Sequence, residues 1–137
     1  MRALVTAADL ASRVELDSAG TGAWHVGEPP DPRTCIAAER RGYDLYELRA
    51  RQFEPADLDR FDLVLAMDRT NLLVVKRLAG ARTTPMIRLL RSFDATAPAG
   101  AEVPDPYSGN AADFDDVVDI CERACRGLLD YVRTQLT

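Results

Sequence analysis

Aspartate 105 stands between two prolines and is followed by Tyr107 and Ser108, in Pro104-Asp105-Pro106-Tyr107-Ser108. Rigid flanks of this kind can hold a carboxylate at a fixed height over a pocket, where it would protonate a leaving oxygen. Pro104-Asp105-Pro106-Tyr107 also makes an ordinary turn, because Pro presets φ and Asp bonds its own backbone two residues on. Trp24 and His25 follow the run Ser18-Ala19-Gly20-Thr21-Gly22, a loop after an apolar stretch. An indole on such a loop points to ligand contact rather than packing. His25 is the only histidine, so a catalytic metal has too few ligands to be expected, and no cofactor is expected either. Of the three cysteines, Cys35 alone has an arginine six positions on, Arg41. The residues between them are Ile36-Ala37-Ala38-Glu39-Arg40, all without glycine and most of them good helix formers. An anion-binding loop needs backbone N–H groups converging on one point. Cys35 is therefore expected inside a helix, capped by Asp31, with Pro32 in its first turn and Gly42 past its end.

Around these residues, helix and strand signals alternate, which predicts an α/β fold with a parallel sheet. Met1 to about Ala11 reads as helix and Arg13–Asp17 as strand. Pro55–Arg60 reads as a helical turn. Asp62–Met67 is a near-continuous apolar run, the pattern of a buried strand. Asp68 caps a helix reaching Ala79, with Gly80 beyond it, and Met86–Leu90 is a further strand. The stretch from Phe93 to Pro106 reads as a Pro/Ala-rich loop, long enough to suggest function. From Phe114 to Leu136, apolar residues recur at helical spacing and take in Cys121 and Cys125, four apart on one face. Two thiols so placed allow a redox pair or a metal site, but buried apolar thiols suit the pattern better.

With 137 residues, one domain over residues 1–137 is expected. Hydrophobic content is 47%, charged content 28% and net charge −5. These values describe an ordinary folded chain and disfavour a nucleic-acid or anionic-membrane surface. No run approaches the ~18 apolar residues of a membrane span, and Met1–Ala8 lacks the apolar core of a secretion signal. A cytoplasmic protein with reduced thiols is expected.

Several stretches resemble the low-molecular-weight protein-tyrosine phosphatase family. They are Val14-Glu15-Leu16-Asp17-Ser18-Ala19-Gly20-Thr21, Trp24-His25-Val26-Gly27, Pro30-Asp31-Pro32-Arg33, Ala50-Arg51-Gln52, Met67-Asp68-Arg69-Thr70-Asn71-Leu72 and Asp105-Pro106-Tyr107. The resemblance implies a small doubly wound parallel sheet ordered 2-1-3-4. It makes Asp105 the general acid, with Trp24 and Tyr107 as the two walls of a phosphotyrosine pocket. Ser18 and Asp68 would brace the phosphate loop. Family members open with a hydrophobic strand and a C-x5-R-[ST] loop, upstream of where Met1 falls. The nucleophilic Cys and the phosphate-binding Arg are absent from these 137 residues, so the resemblance reads as an N-terminally truncated member missing its first, central strand. Two further departures are Leu48, where the family usually has a loop-bracing His, and Ser108, where a second Tyr is common.

The substrate implied for the complete family is a phosphotyrosine protein or a small aryl phosphate. This chain as written is expected to be inactive, either as an incomplete phosphatase or as a non-catalytic phosphoprotein-binding or regulatory pseudophosphatase. The missing strand would leave an exposed sheet, implying a marginal three-stranded remnant prone to self-association.

Overall fold

The computed structural model describes residues Met1–Thr137. Five α-helices, two strands and one 3₁₀ turn follow in the order α1 (Arg2–Ala7), α2 (Pro32–Glu39), α3 (Asp57–Arg60), β1 (Leu63–Ala66), α4 (Arg69–Ala79), β2 (Met86–Leu89), the 3₁₀ turn Leu90–Phe93, and α5 (Ala111–Leu136). No helix is long and apolar enough to cross a membrane.

Local chemistry sets the helix ends. The Asp31 side chain accepts a hydrogen bond from Arg33 N (2.9 Å) and Pro32 opens α2, so Cys35 lies mid-helix and buried, with its N–H bonded to the Asp31 carbonyl (3.1 Å). The Cys35–Arg41 string is thus the second half of α2 and the turn that closes it. Asp68 caps α4 by accepting from Asn71 N (2.7 Å), and Gly80 closes that helix at φ 57°, a conformation suited to glycine. Asn110 and Asp113 form a reciprocal capping box that starts α5 one turn before its first large apolar residue, Phe114. Gly127 sits where α5 crosses the carbonyl of Phe93, and any Cβ there would collide with that backbone.

β1 and β2 run parallel, with Leu63 opposite Met86 and Ala66 opposite Leu89, and α4 makes the crossover between them. Leu63 and Leu65 pack on Leu90, Val103, Ala124 and Leu128, the side covered by α5. Val64 and Ile87 pack on Leu58, Val75 and Ala79, the side covered by α3 and α4. Helices therefore cover both faces of the sheet, which explains the continuous apolar run of β1.

Three expectations are corrected by the structure. The sheet has two strands, not three. Arg13–Asp17 is not a strand: Val14–Asp17 makes no backbone hydrogen bond at all, although Val14 and Leu16 are half-buried and Glu15 and Asp17 exposed. Alternation and β-propensity specify an extended chain, but a ladder needs a neighbour, and none lies beside this segment. Outside β1 and β2, parallel pairing appears only at the single bridge between Gly20 and Gln52. The first helix is also shorter than expected, because the chain leaves α1 at Ala8 and turns through Asp9 at φ 58°.

Arg51 ties this first segment to α3. Its guanidinium donates to both oxygens of Asp57 (3.0 Å each) and to Asp17 (3.1 Å), while Asp57 also accepts from Glu54 N (2.8 Å). Asp57 is 6% exposed, and the Arg51 bonds hold its carboxyl below the ordinary carboxylate range. A depressed folded-state pKa contributes stability that is complete above the unfolded value and is lost as pH falls through the folded one. Asp57→Asn should cost about 2–3 kcal/mol at neutral pH, the range for a charged hydrogen bond left half-made. The difference between variant and parent in chemical unfolding should shrink below about pH 4, where the parent's carboxyl itself protonates. A difference that stays constant down to pH 2 would show that Asp57 acts through shape alone.

Candidate functional site

The C-terminal end of β1 opens into a concave site of about 510 Å³, lined by Asp68, Arg91, Glu102, Val103, Pro104, Asp105 and Ile120. Each wall has an identifiable cause. Asp68 is there because it caps α4 directly after the strand. Val103 N donates to the Met67 carbonyl (2.8 Å), which pins the loop after the 3₁₀ turn across the mouth of β1. Glu102 accepts from Arg69 N (2.7 Å), a second bond onto the start of α4. Asp105 accepts from Tyr107 N (3.0 Å), closing the turn that its flanking prolines prescribe. Asp68, Glu102 and Asp105 are thus each held by a backbone N–H through one carboxylate oxygen. Arg91 is the one cation among them. Its Nη1 donates to the Glu102 carbonyl (2.9 Å), while its Nε is buried with no hydrogen-bond partner.

The structure brings Asp68 and Asp105 to one cavity across 37 positions of sequence, and places the other three candidates elsewhere. Ser18 is exposed, its N–H bonded to the Asp17 side chain (2.8 Å). Trp24 is 78% exposed, folds its ring back over Gly22 and meets His25 edge-on (6.2 Å between centroids). His25 in turn bonds Glu28 (2.8 Å). Tyr107 is 72% exposed and makes no ring contact with Trp24.

Sequence reasoning missed the residues that hold Tyr107. Arg33 grips Asp31 with two bonds (2.8 and 3.1 Å) and donates to the Tyr107 carbonyl (2.9 Å). Its guanidinium lies 4.5 Å from the Phe114 ring centroid and 5.6 Å from that of Tyr107. Pro30-Asp31-Pro32-Arg33 signals a helix start, and nothing in it announces a partner 74 residues away. Arg91 and Glu102 were missed for the same reason.

The remaining cysteines lie on α5. Burial, reinforced by Cys125, pushes the Cys121 thiol up to about 11, so it stays protonated and unreactive at neutral pH.

Residues 1–137 match the low molecular weight phosphotyrosine protein phosphatase family along their whole length. The chain is 45% identical over 137 residues to the low molecular weight protein-tyrosine-phosphatase of Streptomyces coelicolor, an alignment covering 98% of this chain and 83% of that protein. It is 36% identical to the human low molecular weight phosphotyrosine protein phosphatase over 131 residues, covering 94% and 81% of the two. Among solved structures, the protein tyrosine phosphatase of Entamoeba histolytica superposes with a TM-score of 0.91 at 29% identity, covering 99% of this chain and 86% of that one. YfkJ from Bacillus subtilis gives 0.87 at 32% identity, covering 99% and 84%. The chain belongs to the low molecular weight phosphotyrosine protein phosphatase family.

Proposed function

We propose that these residues form the acid-and-walls half of a phosphotyrosine phosphatase site. Asp105 is the general acid that protonates the leaving phenol, Trp24 and Tyr107 grip the aromatic ring, and Ser18 and Asp68 brace the anion-binding loop. The observation that carries this reading is the convergence of Asp105 and Asp68 on one cavity at the end of β1, in a chain whose whole length matches the family. Asp105 sits in a proline-flanked turn tied to Tyr107 N, so its second oxygen is free to hold or release a proton at a fixed place.

We infer further that these 137 residues do not complete a turnover. Attack on phosphorus needs a thiolate held near convergent N–H donors. Cys35 is buried in α2 and the Cys121 thiol is pushed in the wrong direction for a nucleophile. Cys125 lies inside α5, where the backbone N–H groups are spent on the helix. A second reading, a non-catalytic phosphoprotein-binding or regulatory protein, draws its support from Leu48 and Ser108, where the family pattern has His and Tyr.

The experiment is a chimera that carries a family strand and C-x5-R-[ST] loop ahead of Met1. In it, Trp24→Ala should raise KM for an aryl phosphate about tenfold, the scale of one lost aromatic contact, and leave KM for an alkyl phosphate unmoved. An equal change for both substrates would remove Trp24 from the ring-binding wall. A chimera that hydrolyses neither substrate would remove the phosphatase reading of this half-site.

A further inference from the structure

Arg33 is fixed before it meets Tyr107. Its Nε and Nη2 donate to the two oxygens of Asp31 (3.1 and 2.8 Å), and its guanidinium lies 4.5 Å from the ring centroid of Phe114, a buried side chain of α5. Asp31 is itself held, because the same carboxylate caps α2 through Arg33 N (2.9 Å). Two helices thus set the guanidinium in place. Tyr107 has no such anchorage of its own. It is 72% exposed, on a turn closed by Gly109 N donating to the Pro106 carbonyl (2.8 Å). Both of its peptide groups are engaged: the carbonyl accepts from Arg33 Nη2 (2.9 Å), and the N–H donates to Asp105 (3.0 Å). Its ring centroid lies 5.6 Å from the Arg33 guanidinium. The charge of Arg33 is matched by the two-pronged pair with Asp31, so an anionic group of a substrate gains little there. What the guanidinium supplies to its neighbour is shape.

We propose that Arg33 is a positioning residue of the phosphotyrosine site: it sets the Tyr107 wall and, through the Tyr107 peptide, the Asp105 carboxylate. This role rests on the phosphatase reading of Asp105 and Tyr107. An exposed aromatic side chain loses rotamer freedom when it grips a ligand, and a neighbour that holds it beforehand removes part of that cost. The carboxylate gains in the same way, because a proton is delivered well only from a fixed place. Lysine would keep the charge but lose the function. Its single nitrogen cannot fork onto Asp31, lie flat on Phe114 and reach the Tyr107 carbonyl together.

The first measurement needs no turnover. In the 137-residue chain, Arg33→Ala should speed amide hydrogen exchange at Tyr107 and Gly109 about tenfold or more, the scale of one lost hydrogen bond from a charged donor. Exchange at Cys35 N in α2 should not change, since Asp31 still caps that helix. Arg33→Lys should act nearly as strongly as Arg33→Ala. Unchanged exchange at the turn, full rescue by lysine, or equal speeding through α2 would overturn the proposal. The second measurement uses the chimera carrying a family strand and C-x5-R-[ST] loop. There Arg33→Ala should raise KM for an aryl phosphate about two- to fivefold, the scale of an exposed cation–π contact, and leave KM for an alkyl phosphate unmoved. In a Tyr107→Ala background the same substitution should leave the aryl KM unchanged, because the two residues act as one unit. It should lower kcat for phenyl phosphate more than for p-nitrophenyl phosphate, the mark of a displaced acid. Additive effects of the two substitutions, or equal changes for aryl and alkyl substrates, would overturn the role of Arg33 and leave the phosphatase reading intact. A parent chimera that hydrolyses neither substrate would overturn that reading and this role together, even where exchange shows Arg33 holding the turn.

Discussion

Purified protein of these 137 residues should hydrolyse p-nitrophenyl phosphate at a rate about 10⁴–10⁶-fold below that of a complete family member, the usual cost of removing a nucleophile from a unit whose parts act together. The expectation rests on where each thiol is. Cys35 has its N–H bonded to the Asp31 carbonyl inside α2, and the residues after it are helical rather than looped around an anion. Cys121 has a thiol pushed up to about 11 by burial, against the lowered value that attack on phosphorus requires. Cys125 shares its helix. A general acid at Asp105, the role proposed for it, would not compensate, since protonating a leaving group helps only when something displaces it. Steady-state hydrolysis by protein freed of contaminating phosphatases is the measurement. A kcat near 1 s⁻¹ or above, within the ordinary range for enzymes, would refute the argument.

The second large effect appears only when a family strand and loop precede Met1. In that chimera Asp105→Asn should slow hydrolysis of an unactivated phenyl phosphate roughly 10²–10⁴-fold, the contribution of a positioned general acid. It should slow p-nitrophenyl phosphate much less, because a good leaving group departs without full protonation. The substitution preserves the turn, since the Asn side-chain carbonyl still accepts from Tyr107 N. A fall in rate therefore reports the proton and not the loop. Equal slowing of both substrates would assign Asp105 a binding or structural role, and the divergence of the two rates is the signature to look for.

Much of this protein is legible in its sequence wherever the cause is local. Asp31, Asp68 and Gly80 mark helix ends because a cap bonds N–H groups two or three residues away, or because one backbone angle suits glycine. The apolar run of β1 and the periodic face of α5 declare burial from composition alone. The turn at Asp105 follows from two prolines and a short carboxylate. Family motifs name candidate residues for the same reason: they are short and contiguous.

What the tertiary structure decided is everything that depends on a partner far along the chain. Arg13–Asp17 has the composition of a strand but no ladder, because pairing is a property of two segments and no second segment bonds to this one in the structure. Asp68 and Asp105 share a cavity only because the loop after β2 is pinned to Met67 across the end of β1. Arg33 reaches Tyr107 only because α2 packs on α5, and Arg91 becomes a lone cation among carboxylates only when the loop bearing Glu102 folds over it. Propensity and pattern are energies of a few neighbouring residues. The site is set by contacts whose sequence separation those energies do not see.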